Sequence, residues 1–536
     1  MGYNSNNNNY NSNIISNNIS RTKGNDALNS NIEAVKIISN MIKTTLGPMG
    51  MDKMLIDSMG ESIITNDGVK ILSEMEIEHP GAKLLVEVAK TQEKEVGDGT
   101  TSAVIFTSAL LEQAQNLISK KIHPTSIIRL FKQSSQEAIN ILEKNSIKVN
   151  INKDNLVEDI CETAMTGKIG DLAKKNLSKL ISEAINIINL KNINTNNNLI
   201  NLINITKVIG GNIEDSFLIP GIILPKELSN SNMPTKINQA KTLLIDFPLE
   251  VQELDMNTKV NINSVSEYEQ FMVSEKNYLK SLVTKIKQIG ANVIFCQKGI
   301  DDNISYYLAK ENIMAIRRIR KSDLEKLSNL LNIPIISNSE DLVKKNLGIS
   351  NLIKQEQILN HTYIFVEGNS KTDSNIISLV LKSSTSHVLD EVTRAVEDAL
   401  GDINSLVQSK KIVAGGGAIE IELFKQLTNY SKQFEGKNKI IIENFAKAFL
   451  SIPKTLINNS GFDEIDYIAK LIYKHDNNFS KSGLNGFLGI VEDTMKLGIV
   501  EPINVKSQII KSAVETSSMI LRIDDIIASK RLNEHY

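Results

Sequence analysis

Lys94-Glu-Val-Gly-Asp-Gly-Thr-Thr-Ser-Ala-Val104 is the stretch whose reading decides the fold. Gly97-Asp98-Gly99 lets the backbone fold back closely, and Thr100, Thr101 and Ser102 then open an apolar run. Without a Cβ, successive N–H groups at glycine can converge on an anion, and the unpaired N–H groups and dipole of a following helix add to the attraction. Asp98 repels phosphate unless a hard cation such as Mg²⁺ lies between them, held by the carboxylate and the phosphate oxygens. Read alone, the same residues also describe an ordinary tight turn with a threonine helix cap. The remainder of the chain has to choose between the two.

A chain of 536 residues is too long for a single core and predicts about three domains. Its hydrophobic fraction of 41% and charged fraction of 23% are those of a soluble globular protein. A formal net charge of -2 gives no general pull towards nucleic acid or anionic membrane, so neither is an expected partner. Cys161 and Cys296 stand at no metal-ligand spacing, which points away from a disulfide framework and towards a reducing cytoplasm. No apolar run reaches membrane-spanning length, and no basic segment followed by an apolar core marks a secretory signal. Asn and Ser dominate residues 1–20, which read as a disordered tail.

Outward from the central stretch, apolar residues recur at helical spacing from Asn31 to Thr45, and the run stops at Leu46-Gly47-Pro48-Met49-Gly50. Glu61 to Gly68 reads as a short strand and turn with Asp67 at the turn, and Val69 to Met75 as the start of a helix. A helix from Gly81 to Glu93 delivers the chain to Gly97-Asp98-Gly99, and Ala103, Val104, Thr107, Leu110, Leu111, Ala114 and Leu117 form one face of a long helix beyond it. The first 150 residues are thus expected to be mostly helical, with glycine turns at helix ends. No Gly-x-x-x-x-Gly-Lys-Ser/Thr signature is present, so the P-loop template does not apply.

Leu46-Gly-Pro-Met-Gly-Met-Asp-Lys53, Ile64-Thr-Asn-Asp-Gly68, Ile77-Glu-His-Pro-Gly81 and Glu95-Val-Gly-Asp-Gly-Thr-Thr-Ser102 occur in an order and spacing that resembles the group II chaperonins, the archaeal thermosome and its eukaryotic cytosolic relatives. The likeness continues through Lys298-Gly-Ile-Asp-Asp302, Val413-Ala-Gly-Gly-Gly-Ala418, Asn459-Ser-Gly461, Gly498-Ile-Val-Glu-Pro502 and Ile520-Leu-Arg-Ile-Asp-Asp525, from about residue 21 to 530. It implies a multidomain chaperonin fold. A mostly helical, discontinuous equatorial ATP-binding domain would occupy 21–150 and 405–536, and a small hinge-like intermediate domain 151–216 and 374–404. An α/β apical substrate-binding domain would occupy 217–373. Alternating strand and helix patterns from Thr242 to Ile319 fit that apical assignment. The polar insertion from Pro248 to about Glu275 reads by itself as a solvated loop, and by its place resembles the helical protrusion that serves as a built-in lid.

The same resemblance implies an ATPase coupled to protein folding, with ATP and Mg²⁺ as cofactors. The phosphates would rest on backbone around Leu46, Gly47, Pro48, Gly99, Thr100, Thr101 and Ser102, with Mg²⁺ on Asp98. Asp398, with Asp67, would hold and activate the attacking water, and Lys168 would sense the terminal phosphate. Gly416 matches a nucleotide contact and Glu501 a ribose contact, with Asn485 and Lys506 near the same pocket. Residues 374–404 are expected to return on one helix. Its buried stripe would be Val388, Val392, Ala395, Val396, Ala399 and Ile403, and Glu391, Arg394, Asp398 and Asp402 would form a second, charged face that otherwise reads as a solvated stripe.

Expected partners are identical or paralogous subunits in stacked rings and non-native client proteins, with no separate lid protein. Three departures stand out. Met49 replaces the usual Lys or Arg of the phosphate loop, Lys382-Ser-Ser-Thr385 replaces Arg-Gly-Gly-Thr, and the chain given stops at Tyr536 without a Gly-Met-rich tail. Two other classes of function compete with the folding ATPase. A small-molecule kinase or metabolic ATPase needs its own acid–base pair in a separate pocket, and the sequence offers none. A passive holdase ring subunit predicts a damaged Asp67, Asp98 or Asp398, and all three are present.

Overall fold

The structure, a computed structural model, describes residues 19–56, 60, 62–150, 155–188, 202–250, 265–358, 361–368 and 376–529. Most of the expected N-terminal tail and residues 251–264 of the expected lid protrusion lie outside the described residues. The chain divides into two compact units, Met1–Lys174 with Arg394–Tyr536, and Lys175–Thr393. Among the described residues no helix is long and apolar enough to cross a membrane.

The first unit opens with α1 (Asn25–Lys43), α2 (Gly68–Glu74), α3 (Pro80–Glu95), α4 (Thr100–Ser119), α5 (Pro124–Asn145) and α6 (Leu156–Met165). Three starts are written in the sequence. Asp67 caps α2, and His79 and His123 cap α3 and α5, each followed by a proline whose missing N–H costs nothing at a first helical position. Helix α4 is different. All its residues from Thr100 to Leu111 are buried, so it is covered around its whole circumference rather than along one stripe. Phe106 on α4 lies 4.5 Å, ring to ring, from Phe449, and Phe131 on α5 lies 5.3 Å from Phe445, so aromatic contacts lock the middle of the unit. A helix held on all sides presents its N-terminus in one fixed place.

Helix α7 (Asp171–Ile187) leads into the second unit, whose six-stranded sheet has the order Met314–Ile316, Val293–Cys296, Lys236–Ile245, Gly348–Ile358, His361–Glu367, Gly221–Leu224. The first three strands are parallel and the rest pair antiparallel. Strand periodicity divides the core. Leu243 and Ile245 pack with α8 (Val265–Ile289) and α9 (Asp302–Lys310), whereas Leu244 packs with α10 (Lys321–Leu331). The strand predicted from Thr242 begins earlier, at Lys236, because its polar first half pairs with Gly348–Ile358. Likewise, α8 starts at Val265, inside the polar insertion from Pro248 to about Glu275 that by itself reads as a solvated loop.

Three expectations for the returning segment are overturned. Residues 374–404 do not return on a helix alone: the strand Ile377–Ser383 comes first, between Ile203–Ile209 and Phe217–Ile219, and α11 (Ser386–Ser409) follows. Its apolar stripe holds Val392, Ala395, Val396, Ala399 and Ile403, but Val388 is 44% exposed. The charged face is not a solvated stripe either, because Asp402 is 2% exposed.

The chain then completes the first unit with α12 (Ala418–Ser431), α13 (Gly436–Ala448), α14 (Ser451–Asn459), α15 (Glu464–Asp476) and α16 (Ile503–Ile520). A small antiparallel sheet of Val500–Pro502, Lys411–Ala414 and Ile147–Lys148 ties residues from both ends of the sequence, and Ser482–Asn485 with Ile490–Asp493 forms a hairpin.

Candidate functional site

A cavity of about 420 Å³ opens within the first unit. Its wall holds Leu46, Gly47, Pro48, Asp67, Asp98, Gly99, Thr100, Thr101, Ser102, Lys168, Gly416, Asn485, Glu501 and Lys506. These positions are up to about 460 residues apart in the chain, and only the tertiary fold joins them. Asp398 is the one predicted site residue not on the wall. Met49 is also absent from it and is 47% exposed.

The anion-seeking corner is the start of α4. Gly99 is its cap residue, in the left-handed region at φ 79°, and no side chain caps the helix. The N–H groups of its first turn therefore have no intrahelical partner and carry the positive end of the dipole. Gln92, fully buried, fixes the approach by donating from Nε2 to the Asp98 carbonyl at 2.9 Å. Asp67 is oriented differently. Its two carboxylate oxygens accept from Val69 N and Lys70 N at 3.1 Å, so the group is held as a helix cap at the cavity edge.

Lys168 links the acidic residues. Its Nζ lies 2.5 Å from Asp398 Oδ2 and 3.7 Å from Asp98 Oδ1. Burial of the ammonium works against its charge, but the Asp398 and Asp98 carboxylates outweigh burial and hold it protonated. For Asp398, burial is the largest influence and pushes the carboxyl up; Lys168 pulls it back, Asp98 and Asp67 add to the rise, and it settles at about 7. Asp402, one turn along α11, is pushed well above the usual carboxylate range by burial and by Asp98 and Glu501.

Glycine contacts set this geometry. Gly97 and Gly401 meet backbone to backbone: a Cβ on either would stand 2.8 Å from the Cα of the other. That crossing seats α11 beside the Asp98 turn. Gly167, at φ 84°, touches the Gly47 carbonyl where a Cβ would be 2.6 Å away, and Asn66 Nδ2 donates to the Gly167 carbonyl at 2.8 Å. Asn459 Nδ2 donates to the carbonyls of Lys43 and Leu46 at 2.9 and 2.7 Å, fixing the end of α1 and the Gly47-Pro48 loop.

At another part of the wall Lys506 Nζ lies 2.7 Å from Glu501 Oε2 and 2.8 Å from Glu420 Oε1. Its ammonium is opposed by burial but held charged by Glu420 and Glu501. Lys506 is therefore committed to orienting Glu501.

Asn66, Asp159, Glu162 and Phe487 also line the cavity, beyond the residues the sequence marks as candidates. Asn66 lay inside a quoted motif and was legible there; the others belong to no pattern. Among the described residues no group of three or more His, Cys, Asp or Glu could hold a metal ion. The wall instead sets the carboxylate of Asp98, 3.7 Å from Lys168, beside the backbone donors of the first turn of α4, a set that fits a cation shared with an anionic ligand.

A profile of the TCP-1/cpn60 chaperonin family matches residues 38–531. The thermosome subunit of Methanopyrus kandleri is 40% identical over 514 residues, covering 96% of this chain and 94% of the relative. That of Pyrococcus horikoshii is 42% identical over 514 residues, covering 96% and 93%. The thermosome subunit beta of Methanothermobacter thermautotrophicus is 42% identical over 510 residues, covering 95% and 93%. With matches of this extent, the chain belongs to the TCP-1/cpn60 chaperonin family.

Proposed function

We propose that this chaperonin is an ATP-dependent folding machine, in which hydrolysis in the first unit's cavity drives closure of a built-in lid around a non-native protein. The observation that carries the reading is the convergence of the uncapped α4 N-terminus, Asp98 and Lys168 on one cavity wall, with Asp398 joined to it through its pairing with Lys168. The α4 N–H groups bind phosphate oxygens, and Glu501, aimed by Lys506, accepts from a sugar hydroxyl. Asp98 would hold Mg²⁺, which when bound neutralises phosphate charge and orients the oxygens. Asp398 takes the proton of the attacking water, with Asp67 fixed nearby by its cap. Because Lys168 is paired with Asp398, an incoming phosphate competes for the lysine and frees the base. The equatorial, intermediate and apical assignments belong to this reading, as does the lid. So do stacked rings of identical or paralogous subunits, the form in which a chamber can shield exposed apolar surface on folding intermediates.

A passive holdase is the second reading, favoured by one observation: Asp398 is off the cavity wall and occupied by Lys168. ATP turnover of the purified full-length assembly, measured beside Asp398→Ala with particle mass on the same samples, separates the two. A large particle whose turnover falls by roughly 10² or more in the variant is the expected result. A large particle with negligible wild-type turnover supports the holdase, and an active monomer would sink the ring proposal.

A further inference from the structure

A buried chain of hydrogen bonds behind the cavity has no part in the scheme above. His475, fully buried near the end of α15, places Nδ1 2.7 Å from Glu422 Oε2 on α12 and Nε2 2.9 Å from the Ser482 carbonyl. The proton count follows from the partners. A carbonyl only accepts, so Nε2 carries a hydrogen; a carboxylate only accepts, so either Nδ1 carries a second hydrogen or Glu422 holds it and donates to Nδ1. In both cases the ring is fixed at two ends. Glu422 is itself held, since Gln426 Nε2 donates to Oε1 at 2.7 Å, and the bonds from His475 and Gln426 keep its carboxyl below the usual range despite burial. Lys425 Nζ donates to the His475 carbonyl.

Ser482 begins the strand Ser482–Asn485, and this strand reaches the cavity. Leu484 N donates to the Gly416 carbonyl at 2.9 Å, and Leu484, Asn485, Gly486 and Phe487 stand on the cavity wall. The approach leaves no slack: a Cβ on Gly416 would be 2.8 Å from the Leu484 carbonyl oxygen, and one on Gly483 would be 2.8 Å from the Gly415 carbonyl oxygen. A strand that loosens at Ser482 moves the wall directly.

We propose that His475, held by Glu422, is a positioning residue for nucleotide binding: it pins Ser482 and thereby sets where the uncharged wall from Gly416 to Phe487 meets the ligand. This rests on the nucleotide reading of the cavity. The pin touches neither the phosphate corner nor Asp398, so its loss acts on affinity rather than on the chemical step.

The test measures MgATP affinity, turnover and hydrogen exchange of the Leu484 amide in full-length wild type and three variants. His475→Ala should raise the dissociation constant roughly tenfold, the scale of one lost buried hydrogen bond to a charged group, with kcat within about threefold and with faster exchange at Leu484. Glu422→Gln should retain most of the affinity and slow exchange, because a glutamine amide can donate to a neutral ring while its oxygen accepts from Gln426. His475→Leu with Glu422→Leu removes the buried charge with the bonds, which favours folding, and should reproduce the weakened affinity. Unchanged affinity and exchange in His475→Ala or the double variant overturn the assignment, as does equal loosening in Glu422→Gln. Wild-type protein that fails to bind MgATP overturns the nucleotide reading itself, a distinct result from a wild type that binds and a variant that binds equally.

Discussion

Replacing Gly401 by alanine adds a methyl group 2.8 Å from Gly97 Cα and 2.9 Å from the Val96 carbonyl oxygen. Carbon atoms in contact prefer about 3.5–4.0 Å, so α11 must retreat by about 1 Å or the Gly97 turn must move. Two effects on stability oppose each other. Overpacking costs about 1–3 kcal/mol, and alanine in place of glycine inside a helix returns about 1 kcal/mol. The net loss is therefore about 0–2 kcal/mol, a small shift in thermal midpoint. The effect on turnover should be larger, because Asp398, the proposed base, lies three residues before Gly401 on the same helix and moves with it, and a displacement of about 1 Å at a reacting group costs about 10²-fold. Activity and stability should therefore separate. The assay is ATP turnover and thermal unfolding of Gly401→Ala beside Gly170→Ala, whose added Cβ meets nothing within 4 Å. Turnover of Gly401→Ala within about threefold of wild type would refute the argument that this glycine crossing places the base.

The ionisation of Asp398 gives a pH signature. Its folded-state value of about 7 lies above the ordinary 3.8, so the folded form holds the proton more tightly. This group therefore contributes stability at acid pH that is lost as pH rises from about 4 to about 7. With Asp398 as the proposed base, turnover should rise through about pH 7. Since Lys168 pulls the value down, Lys168→Met should move that limb to higher pH; a pH–rate profile with the limb unmoved or moved lower contradicts the pairing. Lys506→Met should leave Glu501 and Glu420 as unpaired buried acids and cost about 3–5 kcal/mol, read as a fall in denaturation midpoint; a midpoint within experimental scatter of wild type would show the pair to be incidental.

Local chemistry made several parts legible in the linear chain. Gly97-Asp98-Gly99 before Thr100 marked a turn and a helix start because glycine at positive φ and an uncapped first turn are properties of neighbouring residues. Period-3.6 patterns located α1, α2, α3 and α4 for the same reason. Buried charge was not legible. Asp402 reads as one more member of a charged stripe, since a sequence carries helix phase but not which element covers each face, and the surroundings of α11 decided that it is buried.

The sequence by itself determined the Gly97-Asp98-Gly99 turn that opens α4 and the run of helices around it, because turns, caps and apolar periods are encoded within a few residues. Tertiary structure alone decided that Lys168 bridges Asp98 and Asp398, that Gly97 meets Gly401, and that Lys506 holds Glu501 rather than standing free. These are contacts between segments distant in the chain, set to within an ångström by close packing, and no local pattern records which distant backbone a missing Cβ lets in.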